Sequence, residues 1–200
     1  MFLITDSEYT TWPGALESNW GLEWQHREIF QMGLILVDSN FKEIESCVQI
    51  VKPKINPQLS ELSIELSGVT QDKIDSEGIS FQKALSRFLT YSHRAESTIC
   101  MNADCGVFRE NCAIHSLLIP FKKDFHRLRP FLEKTGVDLS NTSSGDLHKL
   151  TPNPLKGRTH DALHDCRSMA TYLAYEKEMG RFHSVSSLPT DIPLLDPRSK

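Results

Sequence analysis

Several features of membrane, secreted and zinc-stabilised proteins are missing from this sequence of 200 residues. No apolar run approaches the roughly 20 residues that a membrane-spanning helix needs. The opening residues, MFLITDSEY, have neither a basic stretch nor a cleavage site, so we expect no signal peptide there. The five cysteines lack Cys-x-x-Cys spacing and are odd in number, which favours reduced thiols in the cytoplasm over zinc or disulfides.

An excess of positive charge is also missing. Lys and Arg total 22 against 26 Asp and Glu, for a formal net charge of −4. This balance argues against a protein that binds long duplexes through a broad basic surface, but it allows one that holds a few phosphates through metal ions. The 39% hydrophobic content and the absence of repeats predict one domain with an ordinary core. Oligomers are compatible with this composition, but the sequence does not specify one.

Two acidic residues follow the first apolar segment. Phe2–Thr5 is predicted to be a strand, and Asp6 and Glu8 would then project from the same side of its continuation. Neighbouring carboxylates repel each other unless a cation lies between them. The pair therefore indicates a metal site, although solvated acids at the end of a strand would give the same pattern.

A second informative stretch runs from Gly157 to Cys166. A helix is predicted from Asp161 to about Met179, with His160 at its entrance and Asp165 about one turn inside. A helical carboxylate beside an imidazole suits a metal ligand paired with a proton acceptor. An ordinary amphipathic helix with a solvated Asp and His explains this stretch equally well when it is taken alone.

A third acidic residue, Asp104, follows the short apolar segment Ser97–Met101 and precedes a predicted helix. The carboxyl end of a strand is where α/β proteins place functional groups. The alternative is that Asp104 only caps the helix.

The segment 12–27 is rich in Trp, Pro and Gly, and it is predicted to be a long loop. Its tryptophans, Trp12, Trp20 and Trp24, could stack on nucleobases or, in the slightly favoured alternative, fix the loop by packing. Around this loop the pattern predicts strands at 28–37 and 44–51, an amphipathic helix near 81–89, and alternating apolar residues at 125–132.

Together the acidic motifs resemble those of the DEDDh family of 3′→5′ exonucleases. The motifs occur in the family's order as Asp6-Ser7-Glu8-Tyr9-Thr10, then Ile99–Asp104, then His160–Asp165 with the spacing His-x4-Asp. The resemblance covers about residues 1–178. Further segments are similar to the Eri-type branch and its bacterial relatives, including the sporulation-kinase-inhibitor exonucleases: Glu8–Trp12, Arg27–Ile29 and Leu66–Gln71.

The resemblance implies an α/β fold, with a ribonuclease-H-like mixed sheet of about five strands flanked by helices. It also implies two Mg²⁺ or Mn²⁺ ions and hydrolysis of single-stranded RNA or DNA from the 3′ end, releasing nucleoside 5′-monophosphates. Asp6 would bridge the metals, Glu8 and Asp165 would bind the metal that activates water, and Asp104 would bind the other. His160 would accept the proton of the attacking water. Tyr9, Thr10 and Trp12, beside the acids, are the candidate substrate-binding residues.

Two departures from the family pattern affect this assignment. Asp104 is followed by Cys105 and Gly106, where the branch often has a polar or basic residue. His164 precedes Asp165 directly and therefore competes with His160 for the catalytic role. We choose His160, because it keeps the family spacing and lies outside the helix.

The sequence predicts one folded domain followed by a tail. An exonuclease domain is predicted at 1–180, and a Pro-rich extended or disordered tail at 181–200. The rival function is a regulatory, partner-binding module on an exonuclease fold with incidental activity. The complete set of four carboxylates and one histidine argues against that alternative, because a purely structural role would not require it.

Overall fold

The computed structural model describes residues 1–102, 104–119 and 125–191, and a mixed sheet lies at its centre. The strands are β1 (Phe2–Tyr9), β2 (Ile29–Val37), β3 (Glu43–Ile50), β4 (Thr98–Cys100), β5 (Phe125–Arg127) and β6 (Thr190–Asp191). Their order across the sheet is β3-β2-β1-β4-β5-β6. β1 is antiparallel to β2 and parallel to β4, and β4 is parallel to β5. The predicted mixed sheet is confirmed, with the short β6 as a sixth strand at one edge.

Helices cover both faces of this sheet. They are α1 (Glu61–Ser67), α2 (Gln71–Glu77), α3 (Phe81–Arg94), α4 (Asp104–Ile114), α5 (Arg129–Lys134) and α6 (Ala162–Glu178), together with 3₁₀ helices at Ser144–Leu150 and Val185–Ser187. The first three helices begin after hydroxyl residues, Ser60, Thr70 and Ser80, whose side chains accept a hydrogen bond from a first-turn amide. The predicted helix from Asp161 to about Met179 is confirmed as α6.

The alternation of side chains along β1 decides where its acids point. Leu3 packs in a core with Phe81 and Phe108 of α3 and α4, whereas Ile4 packs in a second core with Met169 of α6. Successive residues of a strand face opposite sides of the sheet. Asp6 and Glu8 therefore lie on the same face as Ile4, which is the face that α6 covers.

The prediction that an extended or disordered tail begins at residue 181 is wrong for residues 181–191. Phe182, Val185 and Leu188 are buried in the core beneath α6, and β6 pairs with β5. Their spacing of three residues is an apolar periodicity that the surrounding Ser and Pro residues obscured. The remainder of the proposed tail, 192–200, lies outside the described residues.

Only the first part of the alternating segment 125–132 forms a strand. Residues 125–127 form β5, after which Pro130 occupies the first turn of α5. A proline in the first helical turn loses no hydrogen bond, so the chain can turn from strand to helix there.

Two further features concern the molecule as a whole. Within the described ranges, no helix combines the length and the apolar character needed to cross a membrane. Among the described residues no disulfide links the five cysteines, and four of the five are buried.

Candidate active site

The acids of β1 lie at the carboxyl end of the strand, beside its parallel neighbour β4. Asp6 is buried and pairs across the sheet with Gly33 of β2, and Glu8 is largely buried two residues further on. The chain that leaves β4 enters α4 at Asp104, which is also buried. Parallel neighbouring strands thus bring the first two acidic motifs to one edge of the sheet.

The beginning of α6 is docked on β2 next to these acids. The buried side chain of Gln31 accepts a hydrogen bond from the Ala162 amide at 3.1 Å and donates to Asp161 Oδ2 at 3.2 Å. A Cβ atom on Gly33 would lie 2.3 Å from the Ala162 carbonyl oxygen, so only glycine permits this approach. Because Gly33 is the partner of Asp6 in the sheet, the first turn of α6 brings Asp165 to Asp6.

Two serine hydroxyls orient the carboxylates. Ser7 donates a hydrogen bond to Asp104 Oδ1 at 2.9 Å. Ser144, which begins the 3₁₀ helix packed on α6, donates to Asp165 Oδ2 at 2.9 Å. The other oxygen of Asp165, Oδ1, is buried and has no hydrogen-bond partner in the described part of the chain. A buried carboxylate oxygen without a donor is unfavourable unless it binds a cation.

The electrostatics of the carboxylate cluster also indicate a site for divalent cations. Burial, followed by repulsion from the neighbouring carboxylates, raises the pKa of Asp6 and of Glu8 well above their ordinary values. Burial raises the pKa of Asp104 to about 6 and that of Asp165 to about 7, against the opposing hydrogen bonds from Ser7 and Ser144. Several carboxylates forced together in this way are stabilised in their ionised form by divalent cations.

The donor set fits such cations. Single ligand atoms of Glu8, His160 and Asp165 lie within 4.8 Å of one another. Asp6 and Asp104 add carboxylate oxygens from the same cavity. Oxygen ligands of this kind suit Mg²⁺ and Mn²⁺. Asp6, Glu8, Asp104 and Asp165, the four predicted metal ligands, are therefore brought together.

His160 lies at the rim of the cluster, as the sequence predicts. Its side chain is 41% exposed, and Nδ1 is 3.8 Å from Oε1 of Glu8. Its backbone has a φ of 66°, in the left-handed region, which turns the imidazole away from α6 and into the cavity. Burial lowers the pKa of His160.

His164 has a different environment. The side chain is buried, its Nε2 lies 3.2 Å from the Gly145 carbonyl oxygen, and its ring packs edge-on against His148. His164 thus supports the 3₁₀ helix that carries Ser144, whereas His160 faces the cavity.

A cavity of about 660 Å³ opens beside the carboxylates. Tyr9, Trp12 and Trp20 form part of its wall, and Leu62 and Leu66 of α1 form another part. The tryptophans also pack within the protein, since Trp12 contacts Trp24 edge-on and Trp20 packs against Tyr9.

The interpretation of Thr10 as a substrate contact needs correction. Thr10 is buried outside the cavity wall, and its hydroxyl donates to the His26 carbonyl and accepts from the Glu28 amide. These bonds fix the two ends of the long loop to each other. The side chain therefore stabilises the loop, and its buried hydroxyl does not line the cavity.

Four residues of the site were missed by the sequence analysis: Ser7, Gln31, Gly33 and Ser144. Each acts on a residue far away in the chain, such as Ser144 on Asp165 or Gln31 on Asp161. The only local signal was Gly33, a glycine within an otherwise apolar strand, which often marks the close approach of another backbone.

Comparison with known proteins identifies the family. A profile of the exonuclease family RNase_T matches residues 10–173. Human ERI1 exoribonuclease 2 is 30% identical over 95 residues, which make up 47% of this chain and 13% of that protein. Rat 3′-5′ exoribonuclease 1 is 43% identical over 49 residues, or 24% of this chain and 14% of that protein. The matched segments are thus a small fraction of these relatives.

Solved structures share the fold at low sequence identity. The nuclease domain of 3′hExo, a DEDDh family member bound to rAMP, superposes with a TM-score of 0.76 at 22% identity over 96% of both chains. Cell-death related nuclease 4 superposes with a TM-score of 0.72 at 22% identity, covering 90% of this chain and 64% of that one. Because the family profile matches most of this chain, the chain belongs to the exonuclease family RNase_T.

Proposed function

We propose that this chain is a two-metal-dependent 3′→5′ exonuclease that releases nucleoside 5′-monophosphates from single-stranded nucleic acid. The observation that carries the proposal is the convergence of four carboxylates and His160: Asp6, Glu8, Asp104 and His160 line one cavity, and Asp165 lies beside Glu8 and His160. The names of the matched relatives, which include 3′-5′ exoribonucleases, support the same polarity.

The carboxylates would hold the two cations, Mg²⁺ or Mn²⁺. Asp6 lies centrally: after burial, the charges of Asp104, Asp165 and Glu8 each raise its pKa, and this position suits the ligand shared by both ions. Glu8 and Asp165 would bind the ion beside His160, and Asp104 would bind the other. When bound, the cations neutralise the scissile phosphate and make water a better nucleophile.

His160 is the proposed proton acceptor. Burial lowers the pKa of its imidazole, so the ring is neutral at physiological pH and can take a proton from water. The ring lies at the rim of the cavity with Nδ1 facing Glu8, and this position lets a water molecule lie between the imidazole and the phosphate.

The cavity wall suits the bases of a strand's 3′ end. Tyr9 and Trp12 present aromatic surface beside Glu8, and Leu62 and Leu66 add apolar surface. Base stacking of this kind tolerates any sequence. Because few phosphates would be contacted, binding should depend only weakly on salt.

Polarity is tested with a 5′-labelled single strand that ends in a 3′-hydroxyl or in a 3′-phosphate, in RNA and DNA versions. We expect stepwise shortening of the hydroxyl-ended strand and strong inhibition by the 3′-phosphate. Equal degradation of both ends would contradict 3′→5′ polarity. The ratio of the RNA and DNA rates gives the sugar preference.

We infer a cytoplasmic location because the five cysteines form no disulfide, as is usual in a reducing compartment. Fractionation of cells that express the natural chain, followed by immunoblotting, tests this inference. Recovery of the protein only from a secreted or periplasmic fraction would contradict it.

A further inference from the structure

The residues that flank His160 are each tied to a different part of the fold. On the near side, Thr159 donates from Oγ1 to Asp146 Oδ1 at 3.2 Å, which links it to the 3₁₀ helix. On the far side, Asp161 is held by Gln31 of β2 at 3.2 Å. His160 therefore does not belong to a free loop.

Arg158, two residues before His160, makes a third set of hydrogen bonds. Its Nε donates to the Leu66 carbonyl oxygen at 3.2 Å, and its Nη2 donates to the Glu65 carbonyl oxygen. The guanidinium also lies against Gly68, where an added Cβ would come 3.1 Å from Nη1. The side chain thus bridges from the His160 segment to the end of α1.

The guanidinium of Arg158 is chemically complementary to the carbonyl groups at the end of α1. The last carbonyl groups of a helix have no partner within the helix, and the helix dipole makes this end negative. The last turn of α1 contains no basic residue of its own. The planar guanidinium of Arg158 supplies both the positive charge and two donors from outside the helix.

The partner helix is part of the substrate cavity. Leu62 and Leu66 of α1 line the cavity that His160 also lines. Arg158 therefore joins the apolar wall of the cavity to the segment that carries the proposed proton acceptor.

His160 needs such external ties. Its φ of 66° is a left-handed conformation that costs about 1 kcal/mol or more for a residue with a side chain. Without support, the backbone would relax toward the right-handed or extended region and would carry the imidazole away from Glu8.

We propose that Arg158 is a positioning residue that holds His160 in register with Glu8 by bonding the segment to the end of α1. This inference rests on the proposed function, since it requires His160 to be the proton acceptor. A misplacement of about 1 Å in a reacting group lowers the rate by up to about 100-fold.

The test is a double-mutant cycle with Arg158→Ala, His160→Ala and the combined variant. Single-turnover rates at saturating oligonucleotide are measured with Mn²⁺ at about pH 8, where neutral imidazole predominates even without the charge of Arg158. We expect Arg158→Ala to lower this rate about tenfold while KM and Mn²⁺ affinity change less than twofold. In the His160→Ala background, the same substitution should have no further effect.

Lys52→Ala is the matched control. Lys52 also donates to a backbone carbonyl near the end of a helix, that of Asp75 in α2 at 2.9 Å, but it lies outside the cavity wall. Its removal should leave the rate unchanged. Arg158→Lys should lower the rate less than Arg158→Ala, because it keeps the charge and one donor but not the fork, and it serves as the test variant if Arg158→Ala does not fold.

The outcomes separate the two proposals. An undiminished rate in Arg158→Ala and Arg158→Lys, or an equal loss with and without His160, overturns the positioning role alone. Wild-type activity in His160→Ala overturns the proposed proton acceptor and the positioning role with it.

Discussion

At the scale of single residues, the two histidines of the third motif have different roles: His160 is the proposed proton acceptor, and His164 supports the fold. Because His160 faces the cavity, His160→Ala should lose about 10²–10⁴ in rate, while Mn²⁺ binding by the carboxylates survives. His164→Ala should mainly lower thermal stability, because it removes a buried ring that packs on His148. Rates and melting temperatures of both variants check this; the reverse ranking of the rates would assign catalysis to His164.

The proposed role of His160 predicts how the hydrolysis rate depends on pH. Since only the neutral imidazole accepts a proton, the rate should fall as the pH falls through the pKa of His160. Burial lowers this pKa, so the falling limb should lie below the usual value of about 6.5. A pH–rate profile measured under single-turnover conditions with saturating Mn²⁺, which keeps the carboxylates ionised, should show this limb in the wild-type protein, and His160→Ala should lack it. An identical limb in both proteins would contradict the role.

Ser144 supplies a prediction about metal affinity. Its hydroxyl occupies Oδ2 of Asp165 and leaves Oδ1 for a cation. Ser144→Ala should weaken Mn²⁺ binding by about 10–100-fold, as is usual when a residue that orients a ligand is lost. Titration calorimetry measures this, and Ser76→Ala, which removes an exposed hydroxyl bonded to Asp72, is the control. Equal affinities in all three proteins would show that Ser144 does not orient the ligand.

At the scale of elements, the docking of α6 on β2 positions the third motif. Gly33→Ala should force Ala162 away from the sheet and destabilise the fold by about 1–3 kcal/mol, with weaker Mn²⁺ binding because Asp165 moves with α6. Gly106→Ala is the control, since among the described residues a Cβ there meets no atom within 4 Å beyond its own helix, and alanine favours the helix. Chemical denaturation should give Gly33→Ala a much lower free energy of unfolding than Gly106→Ala. Similar free energies of unfolding would contradict the account of the docking.

The elements also show what the sequence could reveal. Strands, helices and the order of the acids follow from local patterns, because periodicity and caps such as Ser60 are readable along the chain. The contact of Gln31 with Asp161 spans 130 residues, and no local pattern encodes it. Thr10 was misassigned because sequence proximity to Glu8 does not reveal that its hydroxyl is already bonded.

At the scale of the whole molecule, the carboxylate cluster opposes folding in the absence of metal. Asp104 and Asp165 have pKa values of about 6 and about 7 in the folded protein, against about 3.9 in an unfolded chain. Below about pH 3 they are protonated in both states and have no effect. As the pH rises toward 7, the unfolded state ionises first, so stability is progressively lost.

Asp6→Asn should relieve part of this repulsion. Without metal at about pH 7.5, the variant should be more stable than the wild type by on the order of 1–3 kcal/mol, and the difference should vanish near about pH 3. Saturating Mn²⁺ should reverse the order, because the wild type binds the ions more tightly. Thermal melts at both pH values, with and without Mn²⁺, check this; a wild type that is the more stable protein in metal-free buffer at pH 7.5 would contradict it.

Hydrolysis by the carboxylate site is tested most directly by product analysis of a single-stranded oligonucleotide incubated with Mg²⁺ or Mn²⁺. The wild-type protein should release nucleoside 5′-monophosphates, identified by mass spectrometry, and a chelator should stop the reaction. Asp6→Asn, folded and at the same concentration, should release none above background. Release of the same products by Asp6→Asn at the wild-type rate would contradict the assignment of this site as the hydrolytic centre.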